Sequence, residues 1–362
     1  MVAAAGQRGV SDSGRDGAGL TMSLQQIAIQ RTGLVSSVGL SAPAACAAIR
    51  SKLTNPTETR FVDAAGEWIT VHQVPLELPL RGLAKLTRMA AMVVEECLED
   101  IAPDHWTRIP LLLCVAEPER PGRVEGIEER LVIDMQQMLG ARFSEDSELI
   151  AHGRVGVAVA LDKARRLISG RGVPCVLIVA VDSLLSWPTL SHYEQNARLL
   201  TSENSNGFIA GEGAAALLVG PPGDGPSLSC SGLGFGVEQS HVESDEPLRA
   251  EGLSQAIKNA LADAGREMHE LDFRIADVSG EQYYFKEAAL ALSRTLRRRK
   301  DAFDIWHPAE CCGEAGALSG AVLFVVAEAA CRKGYAPGAN ILVHMASDAG
   351  QRAAAVLSFG AR

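Results

Sequence analysis

The sequence predicts an α/β protein in which helices cover a mostly parallel sheet. Three observations lead to this fold class. Helix-like and strand-like segments alternate, strand segments such as "LLLCVA" (111–116) and "VLIVAV" (176–181) are entirely apolar, and the second part of the chain repeats the scheme of the first. The chain has 362 residues, of which 47% are hydrophobic, so it is long enough to bury one large core or two fused ones.

The first part of the chain opens with a strand and turn (26–39), followed by a helix at 41–53. Ser41 is the predicted N-cap of that helix, and Pro43 lies in its first turn. The segments that follow are predicted as a helix (82–101), a buried strand (108–119), a helix (124–140), a strand, tight turn and long helix (147–172), a buried strand (173–183), and a glycine-containing buried strand (207–219).

The second part of the chain shows the same scheme. Its segments are predicted as a strand and turn (226–236), a helix (251–265), a strand, turn and helix (273–296), a buried helix (315–334) and a hairpin (340–360). We therefore predict two similar halves, 24–222 and 226–362. Residues 1–23 are rich in Gly, Ser, Asp and Arg and are expected to be disordered, with Met22 as an alternative start to Met1.

Composition excludes several function classes. The net charge of −10, with one compact basic run at 294–300, argues against a nucleic-acid binder. No apolar stretch reaches the length of a membrane span, of about 18 residues, so no membrane association is expected. The eight cysteines lack regular spacing, which favours reduced core residues in a cytoplasmic protein. No cofactor or metal motif is found, and neither is expected.

One glycine-rich segment carries a specific pattern. It reads "SNGFIAGEGAAALLVGPP" (205–222), and it sets the carboxylate of Glu212 between two glycines before an apolar run. The motif residues are Gly207, Phe208, Gly211, Glu212 and Gly213. Glycines let backbones approach closely, and a buried acid among them is usually bonded to nearby donors. We therefore predict a structural role for Glu212.

The segment resembles the Gly-Phe-x-x-Gly-Glu-Gly-Ala motif of the β-ketoacyl synthase family of the thiolase superfamily. Three other stretches are similar to that family in the same order: "TGLVSSVGLSAPAACAAIRSKL", "ARRLISGRGVPCVLIVAVDS" and "GEAGALSGAVLFVVAEAACRKGYAPG". The resemblance covers nearly everything from about residue 25 onwards. It implies a thiolase-like fold with five layers, α-β-α-β-α, made from two duplicated halves, usually in a homodimer.

The chain departs from the resemblance where the family has its catalytic residues. The family's nucleophile is a Cys at the strand-to-helix elbow of the first half, where a helix N-terminus lowers the thiol pKa. Here the elbow contains no Cys, Ser or Thr between 150 and 169, and the nucleophile's place falls on His152, Gly153 or Arg154. The family's two His positions fall on Ser279 and Glu310, and Asp348 stands near the place of an aromatic gate.

These departures leave the condensing mechanism without its parts. The residues predicted to line the altered pocket are His152, Arg154, Ser279, Glu310 and Asp348. A relocated mechanism would have to use "WHPAECC", which offers His307, Cys311 and Cys312 as an acylating Cys-His pair or as zinc ligands. Adjacent cysteines suit one zinc ion poorly, and a Cys beside a glycine-rich turn is more often a small packing residue.

Three function classes remain open. The first, which we favour, is a non-catalytic protein that acts by binding, as a homodimer, as the heterodimer partner of a synthase-like subunit, or as an adaptor for a client such as a secreted effector. Synthase-like subunits without the Cys are known in the wider family as partners that shape a product chain. The second is an acyltransferase with relocated residues. The third is an acyl or coenzyme A binding protein without turnover, in which Arg154 contacts phosphate.

Overall fold

The structure is a computed structural model that describes residues 26–361. The predicted disordered segment 1–23 and both candidate start residues lie outside the described residues. No helix within the described range is long and apolar enough to cross a membrane.

Twelve strands are formed by the described residues, and most coincide with the apolar segments of the sequence. They are β1 (Ile27–Val35), β2 (Thr57–Val62), β3 (Trp68–His72), β4 (Leu111–Cys114), β5 (Glu148–Ile150), β6 (Val176–Ser183), β7 (Ala210–Gly220), β8 (Ser227–Val237), β9 (Phe273–Ala276), β10 (Ile305–Trp306), β11 (Asn340–Ala346) and β12 (Gln351–Gly360). Every residue of β4 and β7 is buried, and apart from Glu212 in β7 their side chains are small or branched and apolar. The hairpin of β2 and β3 was not predicted.

The helices predicted from the sequence are present in the predicted order, and the short helix α8 was not predicted. The helices are α1 (Ala42–Arg50), α2 (Gly82–Cys97), α3 (Ile127–Leu139), α4 (Gly156–Arg171), α5 (Trp187–Gln195), α6 (Glu251–Ala264), α7 (Gln282–Thr295), α8 (Ala309–Cys312) and α9 (Ala317–Arg332). Three of them, α3, α4 and α6, end at a glycine in the left-handed conformation, which are Gly140, Gly172 and Gly265. Such a glycine lets the chain turn away without a steric penalty, and it ends the helix at that residue.

The order of the strands repeats about the middle of the sheet. The strands lie in the order β10-β9-β11-β12-β8-β1-β7-β6-β4-β5, and the hairpin of β2 and β3 joins at the start of β7. Counted outward from the junction of β8 with β1, the strands on the two sides occur in the same chain order. The same connectivity therefore occurs on both sides of the sheet; the boundaries of the two halves stay a prediction.

The sheet is mixed, and the prediction of a mostly parallel sheet was wrong. Five strand pairings are parallel and six are antiparallel. The parallel pairs β4–β5 and β9–β10 are joined through helices, whereas β11 and β12 are joined by a short turn that permits only antiparallel pairing. The four central strands β7, β1, β8 and β12 are all antiparallel to their neighbours in this series.

The buried side chains form layers. The largest core includes residues of α4 and α9 together with strands from both sides of the sheet. A second core joins α2 and α3 to β4, β6 and β7, and a third joins α6 to β11 and β12. The layers therefore run helix, strand, helix, strand, helix, with α4 and α9 in the middle. The turn between β5 and α4 packs against α9 at Gly320, where a Cβ would come within 2.0 Å of the carbonyl oxygen of Arg154.

Candidate functional site

The strand-to-helix elbow lies between β5 and α4. A short 3₁₀ turn, Gly153–Val155, follows β5, and α4 begins at Gly156. Gly153 has a φ of +49°, which favours glycine, and a Cβ there would meet Oε2 of Glu117 at 2.2 Å. The carboxylate of Glu117 therefore occupies the space into which a side chain at residue 153 would project. His152, the residue before it, is exposed.

Arg154 is the buried side chain of the elbow. Its guanidinium donates to Oε2 of Glu314 at 3.1 Å, to the hydroxyl of Tyr284 at 2.7 Å and to Oδ1 of Asp348. Oδ2 of Asp277 lies 3.9 Å from its Nε. Burial opposes the charge of Arg154, but the neighbouring groups, Glu314 first among them, outweigh it and raise the pKa of Arg154 well above its usual value.

A second arginine extends this group. Arg198 donates to Glu281 through Nε and Nη2 at 2.8 and 2.9 Å, and its Nη1 donates to Oδ2 of Asp348 at 2.8 Å. Asp348 therefore bridges Arg154 and Arg198. Burial alone would raise the pKa of Asp348, but the two arginines hold it well below its usual range. We call this group the elbow cluster, and its members are Arg154, Arg198, Asp277, Glu281, Tyr284, Glu314 and Asp348.

A third buried arginine lies beside the elbow cluster. Arg120 forms a two-bond ion pair with Asp182, whose Oδ2 also accepts from the backbone N–H of Ala317 at 2.8 Å. Gly316 has a φ of +56°, and a Cβ there would meet the same oxygen at 2.0 Å. Glycine is required at 316 because the start of α9 lies directly on this ion pair.

The elbow cluster leaves almost no room for a substrate. The cavity among Glu117, Arg120, Arg154 and their neighbours measures about 10 Å³, which is at most the space of one water molecule. Burial raises the pKa of Glu314 to about 7, with Arg154 opposing the shift. Such a pKa suits a general base, but no acyl group could reach it in a cavity of this size.

The structure brings together some of the predicted pocket residues. Arg154 and Asp348 are in contact. His152 is exposed, and Ser279 is half-buried, with no hydrogen-bond partner for its Oγ among the described residues. Glu310 is exposed and lies 3.5 Å from Nζ of Lys52, outside the elbow cluster. Glu314, four residues later, is buried and belongs to the elbow cluster.

Sequence reasoning missed Glu314 and several of its partners. Glu314 stands in "GEAG", close to the glycine-flanked pattern of Glu212, and that pattern could have indicated a second buried acid. Oε1 of Glu314 accepts from the backbone N–H of Gly316 at 3.0 Å and from Oγ of Ser319 at 3.1 Å. The other missed members, Arg198, Asp277, Glu281 and Tyr284, have no comparable signal in the sequence.

The residues of the relocated-mechanism hypothesis lie elsewhere, in and before the short helix α8. Cys311 and Cys312 are buried, and burial raises the pKa of these thiols to about 11 and about 12, respectively. Sγ of Cys312 donates to the carbonyl of Pro308 at 3.3 Å, and the ring of His307 lies 3.8 Å from the carboxylate of Glu310. Both thiols are protonated at neutral pH, so neither is an activated nucleophile. Among the described residues no group of His, Cys, Asp and Glu side chains could hold a metal ion.

The glycine-rich segment surrounds a separate ion pair. Glu212 is buried, accepts from the backbone N–H of Val74 and from Oγ of Ser183, both at 2.9 Å, and pairs with the buried ammonium of Lys85. The flanking glycines allow close approach, since a Cβ at Gly211 would lie 2.4 Å from the carbonyl oxygen of Cys312 and one at Gly213 2.3 Å from that of Val35. Lys85 was not predicted as the partner of Glu212.

The first two motif residues support this arrangement. A Cβ at Gly207 would lie 2.4 Å from the backbone of Leu199. Phe208 is buried, packs edge-on against Tyr193 with ring centroids 5.0 Å apart, and lies under the guanidinium of Arg198. An open cavity of about 530 Å³ lies above the Lys85–Glu212 pair, between the β2–β3 hairpin and the start of α2.

Comparisons with known proteins identify the fold. No protein-family model matches the chain, and no curated protein sequence matches it. The chain is similar to a chain in the structure of a type II PKS acyl-carrier protein in complex with its ketosynthase. The TM-score is 0.75, the sequence identity is 16%, and the match covers 92% of this chain and 99% of the other. It is also similar to the ishigamide ketosynthase/chain length factor, with a TM-score of 0.73 and a sequence identity of 16%, over 92% of this chain and 99% of the other.

A third similar structure is a ketosynthase in complex with its chain length factor from Xenorhabdus doucetiae (TM-score 0.69, 12% identity, 93% of this chain and 98% of the other). At these identities the similarity concerns the fold. The mixed sheet, the five layers and the similarity over nearly the whole length of each chain agree with one another. The chain has the thiolase-like fold of ketosynthases and chain length factors.

Proposed function

We propose that this protein is a non-catalytic, synthase-like subunit that acts by binding another protein, with a ketosynthase chain as its partner. One observation carries the proposal. The place of a nucleophile at the elbow is filled by the Glu117 carboxylate and the buried Arg154, and the cavity that remains there measures about 10 Å³. An acyl thioester has neither an attacking group nor space at this site.

The comparisons support a partner of the synthase type. Two of the similar structures contain a ketosynthase together with a chain length factor. A chain that keeps the scaffold while its elbow is filled with ion pairs fits a place in such a pair. The relocated Cys-His mechanism receives no comparable support, because burial keeps the thiols of Cys311 and Cys312 protonated.

The surface of the β2–β3 hairpin offers a face for a partner. Trp68 and Val62 are opposite each other in the hairpin and both are exposed, as is Trp187 at the start of α5. Trp187 packs at a tilt of 36° against Phe61, the neighbour of Val62 in β2, with ring centroids 5.2 Å apart, so α5 adjoins the hairpin. Exposed aromatic side chains of this kind are enriched in protein interfaces.

Intact-mass spectrometry after incubation with acyl- and malonyl-thioesters tests the absence of catalysis. We expect no covalent adduct and no released product. An adduct on Cys311 or Cys312 together with turnover would establish a relocated active site and overturn the proposal.

Purification of the tagged chain from its own cell tests the partner. We expect a 1:1 complex with a ketosynthase chain, and we expect the double change Trp68→Ser with Trp187→Ser to dissociate it. The matched control is Leu53→Ser, an exposed apolar residue outside the hairpin, which should leave the complex intact. Recovery of the chain in a complex that contains no synthase would contradict this partner and favour an adaptor.

A further inference from the structure

Two adjoining cavities lie between the end of α1, the edge strand β10 and the residues after α9. Their volumes are about 250 and 200 Å³, and they share Arg50 and Tyr335 in their walls. Neither cavity includes a member of the elbow cluster. His307 and Glu310 of the "WHPAECC" segment line the larger cavity, and the proposed function gives them no role.

The larger cavity has an aromatic wall and an apolar floor. The rings of Trp306 and Tyr335 are close to parallel, at 20°, with their centroids 6.3 Å apart. Trp306 is held in place by Phe273, whose ring centroid lies 4.8 Å away. Ile49 and Val326 are buried residues that also line this cavity. Flat aromatic surfaces over an aliphatic base are typical of pockets for small ring-containing ligands.

Positive charge surrounds the two cavities. Arg50, Lys52 and Lys333 line them, and the guanidinium of Arg50 lies over the Tyr335 ring at 4.3 Å. Among the described residues that line them, Glu310 carries the one carboxylate. This local surplus of positive charge contrasts with the net charge of −10 for the whole chain. It favours an anionic ligand at this place.

Lys52 is one of the cations that line the larger cavity. It has a φ of +54°, a left-handed conformation that lysine adopts only at a cost, directly after the C-terminal end of α1. Its Nζ lies 3.5 Å from Glu310, and both side chains are exposed to solvent. An exposed ion pair of this kind is weak, so an incoming anion can displace Glu310 from Lys52.

We propose that these cavities bind a small aromatic anion, with its ring against Trp306 and Tyr335 and its carboxylate or other acidic group at Lys52 and Arg50. This site lies outside the elbow and the hairpin face, and its occupancy does not depend on the partner of the chain. The ligand class follows from two features of the lining: aromatic rings, and three cationic side chains beside a single carboxylate.

Titration calorimetry of the full chain with 1-naphthoate tests the proposal. The comparison ligands are 1-naphthamide, which has the ring without the charge, and octanoate, which has the charge without the ring. The test variant is Lys52→Gly, because glycine suits the left-handed conformation and should leave the fold at least as stable. The control variant is Lys258→Met, which removes an exposed lysine on α6, outside both cavities.

We expect 1-naphthoate to bind the wild-type chain, and Lys52→Gly to weaken that binding by about fivefold to tenfold, while Lys258→Met leaves it unchanged. We expect 1-naphthamide and octanoate each to bind more weakly than 1-naphthoate. Absence of 1-naphthoate binding, or equal binding by the wild type and Lys52→Gly, would overturn the site. Equal or tighter binding of 1-naphthamide or of octanoate would overturn the ligand class.

Discussion

The elbow cluster and the Lys85–Glu212 pair are both buried sites of charge, but they connect different parts of the chain. In the elbow cluster, both arginines precede residue 222 and all four carboxylates follow residue 226. The Lys85–Glu212 pair joins α2, β7 and the end of the β2–β3 hairpin, all before residue 222. The elbow cluster therefore ties the two sides of the sheet together, whereas the pair ties one side to itself.

Solvent access also separates the two sites. The elbow cluster encloses about 10 Å³, whereas the Lys85–Glu212 pair lies at the base of an open cavity of about 530 Å³. A charge that loses its partner stays dry in the first site and can be reached by water in the second. The same kind of substitution should therefore destabilise the elbow cluster more than the pair.

Arg154→Met is expected to have the largest effect. It leaves Glu314, Asp348 and Asp277 without their shared cation, and breaking a buried ion pair from one side lowers the free energy of unfolding by about 3–5 kcal/mol. Urea unfolding followed by circular dichroism measures the change. Arg166→Met, which removes an exposed arginine further along α4, twelve residues after Arg154, is the control and should change stability by less than about 0.5 kcal/mol. A similar small loss for Arg154→Met would show that the elbow cluster does not clamp the fold.

The elbow cluster also shows what the sequence could and could not predict. Apolar runs such as 111–116 and 176–181 identify buried strands, because burial on both faces leaves no polar position within them. The elbow has no Cys, Ser or Thr between 150 and 169, so shifting the alignment with the family by one or two residues does not supply a nucleophile. That inference could be made from the sequence alone. The partners of Arg154 could not be predicted in the same way, because Glu314 lies 160 residues further along the chain. Ion pairs between distant segments depend on how the layers stack, and no local pattern records that.

Removing the carboxylate of Glu314 should remove part of the decrease in unfolding free energy that occurs as the pH rises. The folded-state pKa of Glu314 is about 7, above its ordinary value of 4.5, so the folded protein binds this proton more tightly than the unfolded chain does. The resulting stabilisation is fully present below about pH 4.5 and is lost as the pH rises through about 7. The side chain of Gln in Glu314→Gln cannot lose a proton, so the variant does not share this loss. The unfolding free energy of Glu314→Gln minus that of the wild type should therefore increase from pH 5 to pH 8.

The size of that gain is on the order of 2 kcal/mol over this range. Urea unfolding of both proteins at several pH values measures it. Glu310→Gln makes the same chemical change at an exposed position outside the elbow cluster and serves as the control for the loss of one carboxylate. A difference between Glu314→Gln and the wild type that stays constant with pH would mean that Glu314 stays ionised in the fold throughout, and that the elbow cluster holds all its acids in charged form.

Glu212→Gln is expected to destabilise the chain less than Arg154→Met does, and it tests the role of solvent access directly. The amide oxygen can still accept from the backbone N–H of Val74, but Lys85 loses its carboxylate partner. Because water reaches Lys85 through the open cavity, we expect a loss of about 1–3 kcal/mol in unfolding free energy, less than for Arg154→Met. Glu58→Gln, an exposed glutamate that lines the same cavity, should have almost no effect. If Glu212→Gln lowered the free energy of unfolding as much as Arg154→Met does, the loss would depend only on removing the partner of a buried charge. Access of water through the cavity would then have no effect on stability.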